Sequence, residues 1–256
     1  MSYLSDLLAS TRSRIEEARA AVSDDVLEQR IAAQEPPRAF AEALRGEDMA
    51  IVAEIKRASP SRGPLDLGLD AAALARSYAA GGAAAVSVLT EPERFEGSLD
   101  DLRAARGAGL PVLRKDFVLD DFQVLESRAE GADALLLIVR ALGPELGRLF
   151  KATRAVGMDA LVEIYDETDL ERALEVGADV IGINHRDLET FEVDPERTAK
   201  LAPQIPEGKV VVALSGVSSR AEVERLSAMG AHAVLVGESL VTAPDPVAKL
   251  QELLGR

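Results

Sequence analysis

The chain has 256 residues, and 44 acidic against 29 basic side chains leave a formal net charge of −15. It contains no Cys, no Trp and two His, which excludes disulfide scaffolds, Cys-based metal centres and thiol nucleophiles. The basic footprint of a nucleic-acid binder is missing, and no apolar run nears the ~20 residues of a membrane span. The two histidines, His185 and His232, are too distant in sequence to suggest a His-rich metal site. The opening stretch MSYLSDLLASTRSRIEEARA is charged and periodic, without the apolar core of a secretion signal. The cytoplasm is therefore the expected compartment. A chain of this length can bury one large core, as a single α/β barrel or as two small domains.

An amphipathic helix is expected from about Ser2 to Ala21, with Leu4, Leu7, Leu8 and Ile15 as its apolar stripe. Pro36-Pro37 then interrupt the chain, and a second helix follows near Arg38–Leu44. Residues 1–46 read as a helical extension packed on a domain formed by 47–256. The stripe needs a partner: lying across the domain, capping it or dimerising all satisfy that need. A monomer is expected in preference to a homodimer.

From there a phrase repeats, made of a helical stretch, Gly-Ala-x and a short apolar run. It reads GGAAAVSVLT from Gly81, GADALLLIV from Gly131, GADVIGIN from Gly177 and GAHAVLVGE from Gly230. Weaker versions are GLPVLRKDF from Gly109 and GMDALVEIY from Gly157, and AIVAEIK and KVVVALS complete the set. The glycine suits the left-handed position after a helix. The apolar run suits a strand buried on both faces of a parallel sheet. Strands are expected near 51–55, 84–89, 111–115, 134–138, 159–163, 180–183, 209–214 and 233–236. Eight such βα units predict a (β/α)8 TIM barrel with a short N-terminal helical extension; an open doubly wound sheet is the alternative.

In such a barrel the site forms where the strands end. Strand 1 ends in Glu54 and Lys56, followed by Ser59, Pro60 and a Ser61-Arg62-Gly63-Pro64 stretch that suits a lid or an ordered turn. Strand 3 ends in Arg114-Lys115-Asp116-Phe117, strand 5 in Glu163, and strand 6 in Asn184-His185-Arg186. Alternation puts Glu54 with Lys56, and Asn184 with Arg186, on common faces. One charge at a strand end can be a solvated side chain, but a convergence of lysines, glutamates, Asn and Arg points to a site. Ser215-Gly216 and Gly237-Glu238 follow strands 7 and 8, the usual phosphate position of these barrels. Phe95, Phe117 and Leu136 can form an apolar wall for a planar group, although core packing explains each equally well.

IVAEIKRASPSRG, PVLRKDF, LVEIYD, IGINHRDLETFEVD and SGV followed by VGESLV resemble the indole-3-glycerol-phosphate synthase family nearly end to end. The most specific pieces are E-I-K-x-x-S-P-S and R-K-D-F. The resemblance implies ring closure of a carboxyphenylamino-deoxyribulose phosphate with loss of CO₂ and water, without cofactor or metal. It implies that Lys115 is the general acid, Glu163 the base for dehydration and Lys56 a second catalytic lysine. Glu54 and Asn184 become polar positioners, and Arg186 a substrate-binding cation. Ser59 joins the substrate-binding set. Ser215, Gly216, Gly237 and the backbone N–H of Glu238 become a phosphate clamp. Phe95, Phe117, Leu136, Ile51 and Pro60 become the pocket around the anthranilate ring. His185 is expected to be a loop residue without a role.

One departure stands out: where the family usually reads Glu-Ser-Gly, this chain reads Leu214-Ser215-Gly216. Leucine can neither accept a hydrogen bond nor offset a lysine's charge. A weakly active or non-catalytic phosphate-binding barrel is therefore one alternative. A sugar-phosphate isomerase on the same fold is another, but it calls for a Cys or Asp acid–base pair at strand ends, and Cys is absent.

Overall fold

The computed structural model describes residues 3–187 and 189–256. Eight parallel strands close into a barrel. They are β1 (Ala50–Ile55), β2 (Ala85–Leu89), β3 (Val112–Lys115), β4 (Ala134–Ile138), β5 (Asp159–Ile164), β6 (Val180–Asn184), β7 (Val210–Leu214) and β8 (Ala233–Val236). Each pairs with its neighbours in chain order, and β1 closes the ring by pairing with both β2 and β8. The strands are buried along nearly their whole length, because helices cover the outside and side chains fill the inside. The repeated glycines do what the phrase requires: Gly131 and Gly177 take φ of +94° and +80° to stop a helix and turn into the next strand.

Alternation splits each strand between two cores. Ile51, Ala53 and Ile55 pack outward against the helices, while Val52 points into the barrel with Leu113, Leu136, Leu161, Val212, Leu214 and Leu235. Gly182 makes room in this interior: a Cβ there would lie 2.9 Å from Leu214 Cδ1 and 3.2 Å from Leu161 Cδ1. A single hairpin pair, Ala58–Ser59 with Gly63–Pro64, follows β1, so the 61–64 stretch is an ordered turn. Among the described residues no helix is long and apolar enough to cross a membrane.

The extension contains α1 (Tyr3–Ala21), α2 (Asp24–Ala32) and α3 (Phe40–Ala43); the expected start at Ser2 lies outside the described residues. The first turns of α1 lie at the C-terminal end of the barrel. There Tyr3 meets the Phe191 ring edge-on at 4.9 Å, and Arg14 reaches Glu91 at 3.5 Å. Leu7, Thr11 and Ile15 are buried beneath the helix. Helix α2 packs on the outer helix Asp121–Ala129 and has no counterpart among the expected elements. Its single buried residue, Leu27, gives too thin an apolar period, although Ser23-Asp24-Asp25 is a good helix start.

Helix α3 and the residue that caps it plug the opposite end of the barrel with fully buried Phe40 and Leu44. Two aspartates at strand starts hold it there. Asp133 accepts from Arg38 N at 2.9 Å and Val112 N at 2.8 Å, and Asp159 accepts from Ala41 N at 2.8 Å. Asp133 is also fully buried beside Arg106 at 3.5 Å. Removing it leaves orphaned donors and an unpaired cation, so Asp133→Ala is expected to lower the unfolding free energy by about 3–5 kcal/mol in urea titration. Asp179→Ala, at a half-exposed carboxylate 4.0 Å from Lys209, is expected to change it by less than about 0.5 kcal/mol.

Candidate active site

The C-terminal ends of the strands bring Glu54 and Lys56 from β1, Lys115 from β3, Glu163 from β5 and Asn184 from β6 to one mouth. Glu54 lies between the two lysines. Lys56 Nζ is 3.1 Å from Glu54 Oε1, and Lys115 Nζ is 3.5 Å from Oε2. Burial pushes the Glu54 carboxyl up, but Lys115 and Lys56 together outweigh it and hold the group below the usual carboxylate range. The backbone of Gly237 completes the fit, because a Cβ there would come within 2.5 Å of Glu54 Oε1. No other residue type fits that position while Glu54 stays in place.

Glu163 behaves in the opposite way. Burial pushes its carboxyl up, and Lys115 and the Asn184 amide only partly offset this. Asn184 Nδ2 donates to Glu163 Oε1 at 3.0 Å. Asn184 Oδ1 accepts from Ser215 Oγ at 2.9 Å and from Arg186 N at 3.0 Å. Lys115 acts electrostatically on both glutamates, so one ammonium group stands between a carboxylate held charged and a carboxyl biased toward its proton. Such a pair of separated titrations is what acid–base chemistry requires.

Beside Lys115, a cavity is lined by Leu89, Phe95, Asp116, Phe117, Leu136, Ile138, Glu163 and Asn184. Phe95, Phe117 and Leu136 therefore share one wall with the titratable groups. Ile51 does not reach it; its side chain lies in the outer layer between strand and helices, on the face of β1 opposite Glu54. Pro60 is exposed on the hairpin after β1, whose first strand packs beside the Pro92–Phe95 turn. Ser59 beneath it is buried, with a hydroxyl that has no hydrogen-bond partner among the described residues.

On the other side, Ser215 and Gly216 take consecutive left-handed conformations, φ +72° and +79°, directly after β7. Gly237 caps the short helix Glu238–Val241, and the Glu238 carboxylate is engaged by Arg62 at 2.9 Å. Arg186 donates to the Phe191 carbonyl at 3.0 Å, which ties it to the loop after β6. Leu214 is buried in the barrel interior beside Asn184, its partner across the β6–β7 ladder. Glu54 is thus the one carboxylate paired with either lysine among the described residues.

Three features escape sequence reading. His185 is buried rather than a free loop residue: Nδ1 faces the Ser215 carbonyl at 3.1 Å and Nε2 faces Thr198 Oγ1 at 2.7 Å. Arg197 donates to the Asn184 carbonyl and stacks 3.4 Å above the Tyr165 ring. These partners are brought together by the fold of the loop after β6, and no local pattern announces them. Ser87 faces inward in register with Glu54 and is fully buried without a partner among the described residues. A lone hydroxyl inside an apolar strand was the available signal. Among the described residues no group of His, Asp and Glu could hold a metal ion.

The family model described as "Indole-3-glycerol phosphate synthase" matches residues 4–253. "Indole-3-glycerol phosphate synthase 2" of Streptomyces coelicolor is 50% identical over 254 residues, covering 98% of each chain. The indole-3-glycerol phosphate synthase of Mycolicibacterium vanbaalenii is 49% identical over 256 residues, 99% of this chain and 94% of that one. Among solved structures, a 3-hexulose-6-phosphate synthase superposes with a TM-score of 0.63 at 18% identity. The superposition covers 81% of this chain and 99% of that one, a likeness of fold alone.

The depressed Glu54 carboxyl has a consequence for stability. A carboxylate whose folded pKa lies below its unfolded value stabilises the fold above the unfolded pKa, about 4.3, and loses that contribution as pH falls through the folded value. The difference in urea midpoint between wild type and Glu54→Gln is expected to be full at neutral pH. It is expected to shrink steadily as the titration is repeated below about pH 4.3. A difference independent of pH would show that the lysines do not hold the carboxylate charged.

Proposed function

The chain belongs to the indole-3-glycerol phosphate synthase family, and from that premise we propose how the barrel mouth divides the work. The reaction is that of a carboxy-lyase of tryptophan biosynthesis. It closes the ring of 1-(2-carboxyphenylamino)-1-deoxyribulose 5-phosphate with loss of CO₂ and water. The observation that carries the assignment is the position of Lys115, paired to Glu54 and facing Glu163 across a cavity walled by Phe95, Phe117 and Leu136.

In the condensation the ring carbon bearing the carboxylate attacks the ketone carbon, and the carbonyl pair becomes an alkoxide. Lys115 donates the proton that this oxygen needs. The carboxylate then leaves as CO₂, and its bonding pair restores the aromatic ring. Dehydration follows when the new hydroxyl takes a proton from Lys56 and departs as water while a proton leaves the neighbouring methylene carbon. Glu163 takes that proton, and Asn184 holds its carboxylate in place. Lys56 and Glu54 set the charge around the reacting oxygen. Glu54 keeps both ammonium groups at a fixed spacing.

The phosphate fits the turns after β7 and β8. Ser215 and Gly216 take successive left-handed conformations directly after β7, and Gly237 leads into a helix start at Glu238. The Glu238 carboxylate is occupied by Arg62, so its backbone N–H is the group offered to the anion. Arg186 supplies a cation from the loop after β6. Ser59 and Pro60 border the mouth on the β1 side. Ile51 is not included, because it faces the helices. The enzyme acts in the cytoplasm as a monomer; burial of Leu7 and Ile15 of the α1 stripe within their own chain supports the monomer, and sedimentation checks it.

Leu214 favours a second reading, a barrel that binds well and turns over slowly, because the lysines share a single carboxylate. Product fluorescence and substrate binding measured together separate the two. Lys115→Ala is expected to lower kcat by at least about 100-fold. Full activity in that variant would remove Lys115 as the acid. As a base Glu163 works deprotonated, so turnover falls as pH drops through its raised pKa, above the ordinary value of about 4.3. Asn184→Leu is expected to move that acid limb further up. Leu214→Glu places a carboxylate beside Asn184 and is expected to change both kcat and KM. An unchanged pair would show that Leu214 does not tune the site.

A further inference from the structure

The side-chain amide of Asn184 must point one way. Its Nδ2 serves Glu163 only while Oδ1 is held by the donors Ser215 Oγ and Arg186 N, at 2.9 and 3.0 Å. The Ser215 donor depends on a backbone conformation, φ +72°, that residues with a Cβ rarely adopt. Something must hold that peptide in place.

His185 is placed to do so. It follows Asn184 in the chain, and its buried ring lies between the Ser215 carbonyl oxygen at 3.1 Å and Thr198 Oγ1 at 2.7 Å. A carbonyl only accepts, so Nδ1 carries the ring proton and Nε2 accepts from the Thr198 hydroxyl. Burial pushes the imidazole below its usual range against the pull of the Ser215 carbonyl, which favours the neutral ring that this arrangement needs.

We infer that His185 is a positioning residue whose Nδ1–H anchors the Ser215 peptide and, through the Ser215 hydroxyl, fixes the Asn184 amide toward Glu163. The inference rests on the reading of Glu163 and Asn184 as groups of the reacting site. His185 itself touches no reacting atom. It also joins the two halves of the mouth, because the turn it anchors is the one offered to the phosphate.

Two substitutions separate this role from simple packing. An Asn side chain puts an amide donor where imidazole Nδ1 sits, whereas Gln puts it nearer Nε2. H185Q is expected to lower kcat by about tenfold, the scale of one hydrogen bond, and to shift the acid limb upward. H185N is expected to keep kcat within about threefold and to leave the limb in place. In an S215A background H185Q is expected to lower kcat no further, because the route to Asn184 is already cut. If H185Q does not fold, T198V, which keeps the ring but removes its second partner, completes the same cycle. Equal kcat in H185N and H185Q, or additive losses with S215A, would overturn the inference. So would a lowered melting temperature with unchanged kcat and pH profile. Wild-type turnover measured alongside keeps the outcomes apart. No product from wild type defeats the functional reading, whereas product with an additive cycle defeats only the role of His185.

Discussion

Successive side chains of a strand face opposite ways, and closing eight strands into a ring turns that rule into a constraint on every inward position. Residues two apart share the interior, so Val52 packs in it and Glu54 rises to its rim on the same side of β1. The same step carries β5 from Leu161 to Glu163 and β6 from Gly182 to Asn184. The polar mouth is thus the top layer of an apolar stack. Its spacing is inherited from the ladder beneath it, and side-chain flexibility contributes little to it.

The electrostatics follow from that geometry. A chain with a net charge of −15 gathers Lys56, Lys115 and Arg186 at one end of the barrel, while much of its acid lies on outer helices. The overall charge describes the solvated shell and slightly opposes the approach of an anionic substrate from afar. Inside the mouth the balance is set by pairs within a few ångströms. The two lysines hold the Glu54 carboxyl below its usual range, whereas burial, with less compensation, raises that of Glu163.

Much of this was legible in the sequence because the signals were local. Gly-Ala-x before an apolar run marks a helix end and a buried strand, and the eight strands lie within a residue or so of the expected positions. The residues that end those strands announced the mouth. What stayed hidden depends on distant partners. His185 reads as a loop residue until Thr198 and Ser215 fold onto it, and Arg197 acquires meaning only from Tyr165 and the Asn184 carbonyl. Ile51 is a different case. The alternation that places Glu54 inward also places Ile51 outward, so the same rule keeps Ile51 out of the pocket. Helix α2 is silent in the sequence because one buried leucine in nine residues gives almost no period.

The fit between Gly182 and Leu214 has a consequence for how this sequence can vary. The isobutyl group of β7 occupies volume that β6 leaves empty, so neither position has a size of its own. Enlarging residue 182 displaces the leucine, and shortening residue 214 opens a void above the glycine. The departure at 214 is therefore half of a two-residue fit.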